Sequence, residues 1–303
     1  MTSLDATVLC DVRCKVGESP IWSSAERALY WVDIEGRAVH RVDDAGRHRQ
    51  WSVAERIGCI ALHADGGLLA AMETGLFHLA PSADGLQAAA RVVAVDFPLP
   101  NMRFNDGRTD RQGRFWVTSM VRDMAAASSA GALFRYAKDR FEPSTVTGLR
   151  TGNGLGFSPD GRVMYLSDSH PTVQRIWAFD LNDDGQPEHQ RLFVDMNLHP
   201  GRPDGAAVDA DGCYWICAND AGLVHRFTPD GRLDRSLPVP AAKPAMCAFG
   251  GPRLDRLYVT TIAPAEPING YDPSLAGAVF VLNPRCTGLA DEPYRGRPAL
   301  PAD

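Results

Sequence analysis

An internal repeat constrains this chain more than any other feature. Six short segments resemble one another: LYWVD (29–33), LLAAM (68–72), FWVTS (115–119), MYLSD (164–168), YWICA (214–218) and LYVTT (257–261). Their aromatic and β-branched residues read as strands. Anchored at Tyr30, Leu69, Trp116, Tyr165, Trp215 and Tyr258, they recur at steps of 39, 47, 49, 50 and 43 residues. Four are preceded by an Asp/Gly turn: ADGG (64–67), DRQG (110–113), SPDG (158–161) and DADG (209–212). Asp and Gly stand there where a tight β-turn needs them. A further β segment follows the anchors: AVHRVD (38–43), LFHLA (76–80), ALFRYA (132–137), IWAFD (176–180), LVHRFT (223–228) and AVFVLN (278–283). No long amphipathic stretch with helix caps competes. Units of ~40–50 residues with about four strands each describe propeller blades. The expectation is an all-β protein, a six-bladed β-propeller with four-stranded antiparallel blades. Residues 1–303 read as a single domain, because a two-domain split would cut the repeat. The AAASSAG stretch (125–131) reads as a flexible loop near one mouth.

The first strand of each blade lines the central channel and precedes its anchor. Stepping back 11 or 12 residues from the anchors gives Glu18, Asn105, Asn153 and Asp204, with Ile57/Gly58 and Met246/Cys247 in blades two and six. Equivalent positions in a closed radial repeat converge. Four oxygen-bearing side chains are therefore expected to share one channel mouth with an apolar wall. Two carboxylates placed together repel unless a cation or proton intervenes. Carboxylate and amide oxygens suit a hard divalent ion, Ca²⁺, Mg²⁺ or Mn²⁺; Zn²⁺ is less typical of such a set.

Composition narrows the function classes. Lys plus Arg is 31 against 37 Asp plus Glu, a formal net charge of −6, with no basic block. No nucleic-acid partner is expected. No apolar run approaches the ~20 residues of a membrane helix, and Met1 to Cys10 lacks the pattern of a secretory signal. The 7 cysteines form no CxxC pair, which disfavours a disulfide scaffold or a zinc ribbon. The expectation is a reduced cytoplasmic protein without a membrane partner, a monomer or weak homo-oligomer.

Longer motifs carry a resemblance. GESP (17–20) with Trp22, RFNDG (103–107) with GRFWVTSM (113–120), GNGLGFSPDG (152–161), PDG (203–205) and FGG (249–251) together resemble the senescence-marker-protein/regucalcin/gluconolactonase family of six-bladed propellers, from about residue 10 to 285. The resemblance implies that Glu18, Asn153 and Asp204 hold one divalent metal ion, and that Arg103 and Asn105 contact the substrate. Some relatives place a sugar-binding Glu three residues after the Met of the downstream motif. Here that residue is Asp123, shorter by a methylene. The stretch 167–180 looks more like bacterial sugar-acid lactonases than animal regucalcin.

The reaction so implied is metal-dependent hydrolysis of an aldonolactone to the open sugar acid. The metal is the Lewis acid, and Asp204 is the candidate general base. Arg103 is a fixed cation with a donor fork, while Asn105 and Asp123 read sugar hydroxyls. His170, beyond the strand end at Ser167 and Asp168, is a candidate rim contact to substrate. The alternatives are a calcium-binding propeller of regucalcin type, and a hydrolase of organophosphates or other lactones on the same fold. His40, His78 and His225 read as structural, and Trp22, Trp31, Trp116 and Trp215 as core. Cys213 and Cys217 read as core packing rather than a metal pair. The run 152–156 opens a strand rather than a helix, so it fails as a phosphate loop. GxSxG and HExxH are absent, against a serine esterase or a zincin.

Overall fold

The repeat becomes six four-stranded antiparallel sheets in the computed structural model, which describes residues 6–296. The expected span of 1–303 extends beyond the described residues at both ends. The innermost strands are Gly17–Ser23, Ile57–Leu62, Met102–Thr109, Gly152–Phe157, Arg202–Val208 and Pro244–Gly250. Each contacts the next around a closed ring. The architecture is a six-bladed β-propeller. Every anchor segment is the second strand of its blade, and every following β segment is the third.

Closure uses a strand that the repeat did not reveal. Ala6–Val8 pairs with Phe280–Leu282, with Thr7 opposite Val281, and forms the outer edge of the sixth blade. The two ends of the propeller are therefore stitched by backbone hydrogen bonds within one sheet. At the bottom of the channel the chain after Asn283 crosses the ring. Gly288 N–H donates to Leu254 O at 2.8 Å, Tyr294 N–H to Leu62 O at 2.7 Å, and Arg295 N–H to Gly113 O at 3.2 Å. This strap seals the end of the channel opposite Glu18.

Packing lies mainly between blade faces. Trp31, Trp116 and Trp215 are fully buried, and Trp22 is buried beside Tyr258. The indole N–H of two of them donates to a carboxylate: Trp116 to Asp110 and Trp215 to Asp209, each at 2.8 Å. Burying a Trp keeps its apolar area when its one donor finds a partner. Cys213 and Cys217 are buried and unpaired. His40, His78 and His225 are buried on third strands. No helix among the described residues is long and apolar enough to cross a membrane.

Candidate active site at the channel mouth

Local backbone physics brings the four phased residues to one place. In each blade the pairing of the innermost strand with the second strand slips near its start. Glu18 faces Val32, but the next paired residue is Ile21, opposite Tyr30. The same slip falls between Asn153 and Gly156, Pro203 and Ala206, and Phe104 and Gly107. A β-bulge re-aims side chains and breaks the two-residue alternation. Glu18, Asn105, Asn153 and Asp204 all sit at these slips and all are buried.

Two of the bulges are held by the same device. Asp33 accepts from Lys15 N–H and Val16 N–H at 2.9 and 3.0 Å. Asp168 accepts from Arg150 N–H and Thr151 N–H at 2.8 and 3.0 Å. Each Asp ends a second strand and fixes the two amides just before the innermost strand of its own blade. Glu18 and Asn153 then follow at the same offset.

A hydrogen-bonded wall joins the third blade to the fourth. Arg103 Nη1 donates to Asn105 Oδ1 at 2.7 Å. Asn105 Nδ2 donates to Asn153 Oδ1 at 3.0 Å and to Gly152 O at 2.9 Å. Asn153 Nδ2 donates to Ser169 Oγ at 2.5 Å. In the adjacent fifth blade, Asn219 Nδ2 donates to Asp204 Oδ2 at 2.7 Å. Ser19 N–H donates to Glu18 Oε2 at 3.2 Å. Asp204 Oδ1 and Glu18 Oε1 have no protein partner among the described residues. Burial pushes the carboxyls of both Glu18 and Asp204 above the usual range; for Glu18 the charges of Asp204 and Asp106 add to it. The charge of Arg103 works against this push at Glu18 and that of Arg202 at Asp204, without outweighing burial.

This donor set fits a hard divalent ion. It consists of two desolvated carboxylates, each with a free oxygen, and the amide oxygen of Asn153. Among the described residues no group of three His, Cys, Asp or Glu side chains gathers as a metal set. The axial set is instead two carboxylates with amides. Apolar Ile57, Met246 and Cys247 are buried at the equivalent places of blades two and six.

The remaining expected residues lie at the same end, each with its own task. Asp123 is exposed, and its Oδ1 accepts from Ala125 N–H at 3.0 Å, capping the short turn Met124–Ala126. His170 is buried, and both its ring nitrogens are engaged. Nε2 lies 3.0 Å from Met124 O and Nδ1 lies 2.8 Å from Thr172 Oγ1. A carbonyl only accepts, so the proton sits on Nε2 and Nδ1 accepts. His170 thus clamps the turn that follows Asp123. Arg150 Nε adds a bond to Ala127 O at 3.2 Å. The segment 125–131, expected to be loose, is tied at Ala127 and, just before it, at Met124, because polar groups of the neighbouring blade satisfy these carbonyls.

Asn219, Ser169 and Asp106 escaped the sequence reading. Asn219 and Ser169 orient Asp204 and Asn153 from second strands and loops, where no repeat phase singles them out. Asp106 is buried and accepts from Leu155 N–H at 2.9 Å, while its Oδ1 has no partner among the described residues. Its signal was its place in RFNDG, where the other oxygen-bearing blades carry Ser19, Gly154 and Gly205.

The SMP-30/Gluconolactonase/LRE-like region family matches residues 16–263 of the chain. The chain is 34% identical over 300 residues to a 6-deoxy-6-sulfogluconolactonase of Pseudomonas putida, covering 97% of this chain and 100% of that protein. It is 35% identical over 298 residues to an L-arabinolactonase of Azospirillum brasilense, covering 97% and 96%. Among solved structures, a calcium-binding protein, regucalcin, from Agrobacterium tumefaciens superposes with a TM-score of 0.86 at 26% identity, covering 95% of this chain and 96% of that one.

Proposed function

The chain belongs to the SMP-30/gluconolactonase family, and from that premise we propose that it hydrolyses a sugar aldonolactone to the sugar acid with the help of one divalent metal ion. The observation that carries this reading is the meeting of Glu18, Asn105, Asn153 and Asp204 at bulges of four blades, with oxygen atoms left free in the channel. Lactonase relatives that match nearly the full chain support the reaction class.

Glu18, Asn153 and Asp204 hold the ion in this reading. When bound, a divalent ion polarises a lactone carbonyl and acidifies water. The protein's own groups do the rest. Asn105 and Ser169 fix the amide of Asn153 from opposite sides, so its oxygen stays turned to the channel. Asn219 occupies Asp204 Oδ2 and leaves Oδ1 to take a proton from the attacking water. Arg103 keeps Nε and Nη2 for substrate oxygens, its Nη1 being used on Asn105 and Phe104 O. Water oxygen bonds to the carbonyl carbon, the ring carbon–oxygen bond breaks, and the ring oxygen gains a proton as the new hydroxyl. The sealed lower end leaves the mouth as the route for substrate.

The test is acid release at constant pH from a panel of aldonolactones, corrected for spontaneous opening. Metal-free protein is compared with protein refilled with Ca²⁺, Mn²⁺, Mg²⁺ or Zn²⁺. Metal-dependent opening of one lactone is expected. Tight metal binding without turnover on any lactone would favour a calcium-binding role instead.

A further inference from the structure

Two of the residues that hold the ion in the reading above stand in different blades, Asn153 in the fourth and Asp204 in the fifth. The two sheets share no strand pairing, so side chains must fix the spacing between them. One side chain spans the gap. Arg202 opens the innermost strand of blade five, two residues before Asp204, and is half-buried. Each of its guanidinium nitrogens has a different partner. Nη1 donates to Ser169 O of blade four at 3.2 Å, Nη2 to Asn219 Oδ1 at 3.3 Å and Nε to Asp220 Oδ2 at 2.6 Å. The Ser169 hydroxyl is the group that holds Asn153, and the Asn219 amide is the group that holds Asp204. One guanidinium therefore reaches both residues that orient the two ligands.

The local backbone sets this up. Arg202 and Asn219 are directly opposed in the pairing of the first and second strands, and opposed residues present their side chains to one face. Asp220 follows at a φ of 74°, in the left-handed region that a short polar side chain tolerates. From there its carboxylate holds Arg202 through one oxygen and Lys243 through the other. A guanidinium only donates, so Asn219 turns Oδ1 toward Arg202 and Nδ2 toward Asp204. Pro244 O, 3.3 Å from Nδ2, favours the same sense. Charge and geometry act here in opposite directions. The charge of Arg202 is felt at Asp204, so by Coulomb's law it repels a cation held there. Lys243 shares Asp220, which leaves that charge incompletely neutralised. Only the directed bonds of Arg202 favour metal binding.

We propose that Arg202 is a positioning residue for the metal ion: it clamps blade four to blade five at the mouth and, through Ser169 and Asn219, holds Asn153 and Asp204 in register for one ion. This rests on the metal-dependent reading above and adds the device that keeps two of its ligand-bearing blades together.

The test is calorimetric titration of Ca²⁺ and of Mn²⁺ into metal-free wild type, R202K and R202M, each first shown to melt cooperatively in chelator. R202K keeps the charge and loses the fork. R202M loses both and keeps an apolar stem. Both are expected to bind the ion about 10-fold more weakly, the lower end of what a ligand-orienting partner contributes. In the N219A background the further cost of R202M falls to about 3-fold or less, because residues in one chain of bonds are not additive. Wild-type affinity in R202K, or tighter binding in R202M, would show that Arg202 acts by charge and overturn the proposal. An equal cost of R202M in the two backgrounds would overturn it as well. A wild type that binds neither ion would remove the metal reading and this inference with it. The titration contains no lactone, so a wild type that binds metal but opens no lactone removes the lactonase reading alone, and the clamp is still decided by affinity.

Discussion

Asn105 reaches from the third blade to the fourth and donates its amide to Asn153 Oδ1 at 3.0 Å. Its own oxygen is taken by Arg103 at 2.7 Å. The residue expected to touch substrate therefore also orients a candidate metal ligand. Replacing Asn105 with Ala leaves Asn153 held by Ser169 alone and removes one of the two acceptors of the half-buried Arg103 guanidinium. Partners that orient a ligand typically contribute about 10- to 100-fold in metal affinity. N105A is expected to bind Ca²⁺ or Mn²⁺ more weakly by that order in calorimetric titration while still melting cooperatively. Wild-type affinity would show that Ser169 is sufficient.

Glu18 and Asp204 pull stability and function in opposite directions. Both are carboxylates taken out of water, with the charges of Arg103 and Arg202 offsetting only part of that cost. In metal-free protein the neutral amide of E18Q or D204N removes that cost. Each variant is expected to gain about 1–2 kcal/mol in chelator, on the order of 2–5 °C in Tm. Each should also lose the rise in Tm that added metal gives the wild type, and lose lactone opening. A lower Tm in chelator for both variants would contradict the picture of two incompletely compensated carboxylates.

How much of this was legible in the sequence follows from what the repeat could encode. Tyr30, Trp116, Tyr165 and Trp215 mark every second strand they were expected to mark, because a buried strand shows as an aromatic and β-branched run. Glu18, Asn105, Asn153 and Asp204 were found because a closed ring turns equal phase into spatial convergence. Asp106 was passed over because a regular strand sends neighbouring side chains to opposite faces, and only the slip between Phe104 and Gly107 relaxes that rule. Ala6–Val8 was missed because three residues are too few to show alternation. The clamp of His170 on Met124 O depends on loop geometry between blades, which no local pattern carries.

The strap that seals the channel makes a sharp pair of variants. Tyr294 is 1% exposed, stacks on Tyr136 with ring centroids 4.9 Å apart, and its hydroxyl, beside the Tyr136 hydroxyl and the Asp139 backbone, makes no hydrogen bond of good geometry. Removing the ring opens a cavity, and Y294A is expected to cost about 3–5 kcal/mol in urea unfolding. Y294F removes only this poorly bonded hydroxyl and is expected to stay within about 0.5 kcal/mol of wild type. A large loss in Y294F would mean that the hydroxyl is bonded in solution.

Acid sensitivity should trace partly to His40, far from the mouth. The ring is 3% exposed, stacks on Trp31 at 5.1 Å, and places Nδ1 3.1 Å from His48 Nε2. Burial, with the charge of His48 adding to it, lowers its pKa from 6.5 to about 4. The folded protein therefore holds His40 neutral where the unfolded chain would protonate it. The contribution is fully present above about pH 6.5 and is lost as pH falls toward 4, because the unfolded state binds the extra proton in that window. The shift corresponds to about 2–3 kcal/mol between pH 7.5 and 4.5. Carboxylates also titrate there, so the quantity to measure is the difference between wild type and H40F. Urea unfolding at pH 7.5, 6.0 and 4.5 is expected to show the wild type losing about 2–3 kcal/mol more than H40F. Parallel losses in the two proteins would mean that His40 takes up its proton without unfolding.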